Sequence, residues 1–109
     1  MLPTEISTKK VKELLDAQDD LLLLDCRRDD EYAICQIDGS ILIPMDELPT
    51  RIGELEAARE KPVVVYCHHG MRSLRVVNWL RQQGFDNSQS MSGGIHAWSE
   101  EIDPSVPTY

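Results

Sequence analysis

The sequence predicts an α/β fold: a parallel sheet of about five strands with helices on both faces. Two observations carry this. The apolar runs Leu21 to Leu24, Ile41 to Ile43 and Val63 to Tyr66 are short and do not alternate with polar residues, so each reads as a strand buried on both sides. The segments between them have helical periodicity, and regular alternation of the two patterns marks βαβ units. The chain has 109 residues, which corresponds to one domain over 1–109 with room for a real core.

In chain order, Glu5–Ile6 reads as a short strand. A helix follows, capped by Ser7 or Thr8, with Val11, Leu14 and Leu15 as its apolar stripe and Lys9, Lys10, Lys12 and Glu13 in solvent. The Leu21 to Leu24 strand ends at Asp25-Cys26-Arg27. Asp29, Asp30 and Glu31 then open a short helix, with acids placed where the helix dipole favours them. Ile37-Asp38-Gly39 reads as a turn, and Ile41 to Ile43 as a third buried strand stopped by Pro44. Asp46 is placed to cap the next helical segment, whose inner face is Leu48, Ile52 and Leu55. The Val63 to Tyr66 strand leads through Cys67 to an amphipathic helix. Val76, Val77 and Leu80 form its inner face, Ser73 is its expected N-cap, and Gly84 lies just past its end. Asn87 to Met91 is a last strand, Gly93-Gly94 a turn, and Ile95 to Glu100 a last helix. Trp79 and Trp98 are expected in the core, and the tail with Pro104 and Pro107 is extended.

In a parallel sheet, ligands bind beyond the carboxyl ends of the strands. Cys67 falls at that edge, between a buried strand and a helix N-terminus, a position that lowers a thiol pKa. In the loop His68-His69-Gly70-Met71-Arg72, Gly70 permits backbone angles that turn N–H groups inward as an anion-binding nest, and Arg72 adds a cation. The competing reading is an inert buried cysteine. Arg72 has two readings, a contact to an anionic substrate or an ion pair that holds the loop. Asp25 and Arg27 reach the same edge, where Arg27 reads as paired with an acid. His68 and His69 either tune the thiol and contact donor or are merely solvated. Nothing else in the chain completes a metal-ligand set with them, so no metal is expected. Cys26 reads as a small core residue or, alternatively, as a partner that traps an oxidised Cys67.

The net charge of −8 argues against nucleic acid or an anionic membrane as partner. No run approaches a transmembrane helix, and the start MLPTEIST has neither the basic residues nor the apolar run of a signal peptide. Three cysteines without paired spacing point away from a disulfide framework. The expectation is a cytoplasmic monomer.

Taken together, LLLLDCRRDDEY, the Ile37-Asp38-Gly39-Ser40 turn with its strand and Pro44, VVVYCHHGMRS, GFDN and GGIHAW resemble single-domain rhodanese-like sulfurtransferases, in order and over nearly the whole chain. The resemblance implies that Cys67 forms a persulfide and that the loop from Cys67 to Arg72 cradles its sulfur. It also implies a small sulfur-containing anion or thiol as substrate, and no cofactor. The chain departs from the family at Cys26, where a small or apolar residue is usual, and at Cys35 to Gly39, which bears on substrate preference. The double histidine and the ending IDPSVPTY are similar to rhodanese domains fused to ubiquitin-like activating enzymes, which implies a sulfur-accepting protein as a partner. A phosphatase or arsenate reductase would carry a C-x5-R loop. Only four residues separate Cys67 from Arg72, which suits the smaller sulfur. A non-catalytic docking module would tend to lack the cysteine.

Overall fold

A computed structural model describes residues 2–109. Five strands, β1 (Glu5–Ile6), β2 (Leu22–Asp25), β3 (Ile41–Leu42), β4 (Val63–Tyr66) and β5 (Ser88–Met91), form one sheet in the order β1-β5-β4-β2-β3, with every pairing parallel. The α-helices are α1 (Thr8–Asp16), α2 (Asp29–Ile34), α3 (Leu48–Arg51), α4 (Met71–Gln82) and α5 (Gly94–Glu101).

Strand parity explains the two-sided burial. Val63, Val65 and Cys67 face one apolar cluster with Val76, Val77 and Leu80 of α4, while Val64 and Tyr66 face the other with Val11, Ile95 and Trp98. Leu24 and Cys26 share the Cys67 face. The central strands β2 and β4 run side by side, with Asp25 opposite Tyr66. The connection after β2 leads outward to β3, and the one after β4 leads the other way to β5. The carboxyl ends of β2 and β4 therefore form the switch point where such sheets open a crevice.

Ser7 caps α1, its hydroxyl accepting from Lys10 N at 3.1 Å. The Ile37–Ser40 turn is pinned from below: the Tyr66 hydroxyl accepts from Ile37 N at 3.2 Å and meets Ser40 Oγ at 2.9 Å. Four expectations are corrected. The third strand is an edge with one neighbour, so Ile41 is 39% exposed and only Ile43, past the strand end, is buried. Asp46 caps nothing, because it lies inside a 3-10 turn, Met45–Glu47, that starts directly after Pro44. The segment carrying Leu48, Ile52 and Leu55 is not one helix: α3 gives way to a 3-10 stretch over Ile52–Ala58, though Leu48 and Leu55 are still buried. Trp79 is half-buried at the rim of its cluster, while Trp98 is in the core as expected.

Candidate active site

The apolar run of β4 ends at Tyr66, and Cys67 follows it on the α4 face with only 1% of its surface exposed. The chain then turns at Gly70, whose φ of 105° suits glycine, and α4 starts at Met71. The turn bends two backbone N–H groups onto the sulfur: Cys67 Sγ accepts from Gly70 N at 3.1 Å and from Ser73 N at 3.3 Å. Met71 and Arg72 are the first residues of α4, so their N–H groups have no intrahelical acceptor and strengthen the positive end of the helix at the same place.

Ser73 is not the cap of α4. It is the third helical residue, and Gly70 occupies the cap. Its hydroxyl lies 3.4 Å from Cys67 Sγ, 3.2 Å from Gly70 O and 2.7 Å from Ser90 Oγ, so a β5 hydroxyl orients the hydroxyl that faces the sulfur. Cys26 flanks the sulfur from β2; its thiol is 3.5 Å from Tyr66 O and is buried in the same cluster as Cys67. These donors bring the Cys67 thiol down to about 5. The neighbouring Cys26 thiol contributes most, followed by the Ser73 hydroxyl and the N–H groups of Ser73 and Gly70, against burial, which acts upward. The Cys26 thiol is pushed the other way, by the neighbouring Cys67 sulfur and by burial.

Arg72 does not project free into the cradle. Its guanidinium forms a bidentate pair with Glu31, at 2.7 and 2.9 Å. Glu31 is 3% exposed, and its carboxylate is held well below the usual range, first by Arg72 and then by the Tyr109 hydroxyl at 2.7 Å and by Arg28 N. Of the two readings of Arg72, the ion pair is the one present. Asp25 and Arg27 form a fully buried pair on the far side of β2 from Cys67, with Nε–Oδ1 at 2.9 Å and Nη2–Oδ2 at 2.7 Å. Arg27 also donates to Cys35 O at 2.7 Å and to the Tyr109 hydroxyl at 2.9 Å. Tyr109 therefore joins the two arginine–acid pairs into one brace under the strand ends, and Asp25 and Arg27 support the site without facing the sulfur. A hollow of about 220 Å3 opens beside Cys26, between Pro44, Met45, Asp46 and Arg72.

On the other side of the loop, the His68 ring stacks at 3.9 Å on both Tyr109 and His69. Burial and the neighbouring His69 hold His68 below the ordinary histidine range. His69 is exposed, and Met71 is 72% exposed at the start of α4. The loop rests on α5: Ile95 N donates to Cys67 O at 2.9 Å and His96 N to His68 O at 3.1 Å. A Cβ on Gly94 would overlap the carbonyl groups of Cys67 and His68, so only glycine lets the helix approach this closely. Glu31, Tyr109, Ser90 and His96 were not among the residues singled out from the sequence. All four reach the site across long sequence separations; Glu31, His96 and Tyr109 lie in the quoted stretches LLLLDCRRDDEY, GGIHAW and IDPSVPTY, but without a role assigned there. His96 also corrects the expectation that nothing completes a set with His68 and His69, since the three rings lie together.

A family model described as "Rhodanese-like domain" matches residues 7–101. The chain is 37% identical over 125 residues to "Adenylyltransferase and sulfurtransferase MOCS3" of Arabidopsis thaliana; the match takes in 100% of this chain but 27% of that protein, so the chain spans about a quarter of this relative's length. It is 33% identical over 102 residues to a protein of Allochromatium vinosum named "Sulfurtransferase", covering 94% of each. The crystal structure of a rhodanese-related protein from Thermoplasma volcanium superposes with a TM-score of 0.83 at 34% identity, covering 98% of this chain and 100% of that one. By family match, sequence and fold, the chain belongs to the rhodanese-like domain family.

Proposed function

We propose that this protein is a sulfurtransferase that moves sulfane sulfur from thiosulfate or a persulfide donor to a thiol or cyanide acceptor through a persulfide on Cys67. The observation that carries the reading is the cradle itself: one buried sulfur at a helix N-terminus, accepting from Gly70 N and Ser73 N. A thiolate is the required nucleophile, and the environment of Cys67 favours it at neutral pH.

In the first half-reaction the Cys67 thiolate attacks the outer sulfur of thiosulfate. A new S–S bond forms as the old one breaks, and sulfite leaves with the bonding pair. Cys67 then carries a terminal persulfide anion. In the second half-reaction cyanide attacks that outer sulfur, thiocyanate leaves, and the Cys67 thiolate is restored. Atoms and charge balance in both steps without a cofactor. The Gly70 and Ser73 N–H groups and the Ser73 hydroxyl stabilise the anion on whichever sulfur bears it. His68, His69 and Met71 line the approach, and Arg72, neutralised by Glu31, holds the start of α4 rather than gripping a dianion.

Delivery of the sulfur to a protein acceptor is the second reading. It is favoured by the exposed Met71 at the lip of the loop and by the full-length match to a relative in which this domain is one part of a larger protein. Phosphate chemistry is disfavoured, because a phosphate loop needs its arginine free to face the anion and Arg72 is tied to Glu31. The test is a thiosulfate:cyanide assay run beside hydrolysis of p-nitrophenyl phosphate. Thiocyanate formation without phosphate release is expected. Phosphate release without thiocyanate would overturn the assignment.

A further inference from the structure

The three histidines of the chain are far apart in sequence relative to α5 yet meet beside the Cys67 loop. One ring nitrogen from each of His68, His69 and His96 lies within 4.8 Å of the others. The backbone holds them there, since His96 N donates to His68 O at 3.1 Å. Among the described residues, the buried side-chain nitrogen and oxygen atoms without a hydrogen-bond partner are two, His68 Nε2 and His96 Nδ1, and both belong to this trio. A buried polar atom without a partner is costly, and two in one cluster call for a shared ligand.

Both rings are held in place, His96 by a carboxylate and His68 by stacking. His96 Nε2 lies 3.2 Å from Glu100 Oε1, one helical turn on. His68 is wedged between the Tyr109 and His69 rings, each at 3.9 Å. A histidine whose second nitrogen is fixed by a carboxylate or carbonyl, with the first left free, is the usual arrangement of a metal-bound imidazole.

We propose that His68, His69 and His96 form a binding site for a divalent cation of the zinc type. Three imidazoles suit zinc, nickel or copper rather than magnesium or calcium, and three protein ligands leave a fourth position open. Tetrahedral zinc with bonds of about 2.1 Å places its nitrogens about 3.4 Å apart, so the rings close by roughly an ångström through side-chain rotation. His69, exposed and on the loop, is the ring with room to do this. The site uses neither the Cys67 sulfur nor the Gly70 and Ser73 groups that hold it, so ion binding is measured apart from sulfur transfer.

The test is zinc titration of the intact protein by calorimetry, with cobalt(II) absorption as the spectroscopic probe. One ion per chain is expected, with the visible bands of a nitrogen-ligated tetrahedral cobalt and no thiolate charge-transfer band. His96→Gln and His69→Ala, checked as folded by circular dichroism, each weaken binding roughly tenfold or more, and Glu100→Gln weakens it by a smaller factor through loss of the carboxylate behind His96. Cys67→Ser leaves binding unchanged. Binding that survives His96→Gln and His69→Ala, or that disappears with Cys67→Ser, or an absence of stoichiometric binding, overturns the proposal.

Discussion

Cys26 and Cys67 are neighbours on adjacent parallel strands. Asp25 pairs with Tyr66 in the β2–β4 register, Cys26 N donates to Tyr66 O at 3.1 Å, and both cysteine side chains enter the same apolar cluster. The two neighbouring thiols are driven in opposite directions, Cys67 down and Cys26 up, an asymmetry that separates their acidities.

The first consequence concerns pH. With the Cys67 thiol at about 5, the thiolate is fully formed at neutral pH. Single-turnover sulfur loading is therefore flat from about pH 6 to 8 and falls as pH drops through about 5. Iodoacetamide alkylation of Cys67 follows the same curve. Because the folded value lies below the unfolded one of 9.0, the thiolate adds stability that is complete above about pH 9 and is lost as pH falls through about 5. Cys26→Ala removes the strongest of the stabilising donors and moves the alkylation midpoint upward. An unmoved midpoint would show that Gly70 and Ser73 do the work alone.

The second concerns oxidation. Neighbouring parallel strands lie about 4.8 Å apart, a Cα separation within the range a disulfide spans. Peroxide takes the Cys67 thiolate to a sulfenic acid, and the Cys26 thiol then displaces water to close a disulfide. Non-reducing peptide mapping after mild peroxide treatment should recover a Cys26–Cys67 pair that dithiothreitol reverses. Recovery of Cys67 as sulfinic acid beside reduced Cys26 would limit Cys26 to packing and proton donation.

The third concerns Arg72. Its charge is satisfied by Glu31, so Arg72→Ala should reduce transfer from thiosulfate and from an uncharged persulfide donor by the same factor. It should also cost about 2 kcal/mol of stability, because Glu31 stays buried with fewer partners. Parallel assays with the two donors and a urea melt measure both effects. A loss confined to thiosulfate would mean that Arg72 leaves Glu31 to meet the dianion.

The sheet and the place of Cys67 were readable because they depend on local pattern. Four consecutive apolar residues followed by Cys67, a glycine three residues on and a helical stripe from Val76 are all contained in about twenty residues. The same local view misplaced Ser73, since a serine at the helix cap and one inside the first turn look alike in sequence. The distinction came from Gly70, which takes the left-handed angle and ends the loop earlier. The roles of Glu31, Tyr109 and His96 could not be read, because their partners lie far off in the chain and those roles come from how α2, the tail and α5 pack around the loop. Gly93-Gly94 was readable as a turn, but its close approach to the carbonyls of Cys67 and His68 required the fold.

Sulfur transfer by this route requires that sulfur be held covalently on Cys67. Intact-protein and peptide mass spectrometry after brief exposure to thiosulfate tests it most directly. One added sulfur atom is expected on the Cys67 peptide, removed by cyanide with release of thiocyanate, with no addition to a folded Cys67→Ser variant. Sulfur found on Cys26 or Cys35, or thiocyanate formation that persists in Cys67→Ser, would contradict it.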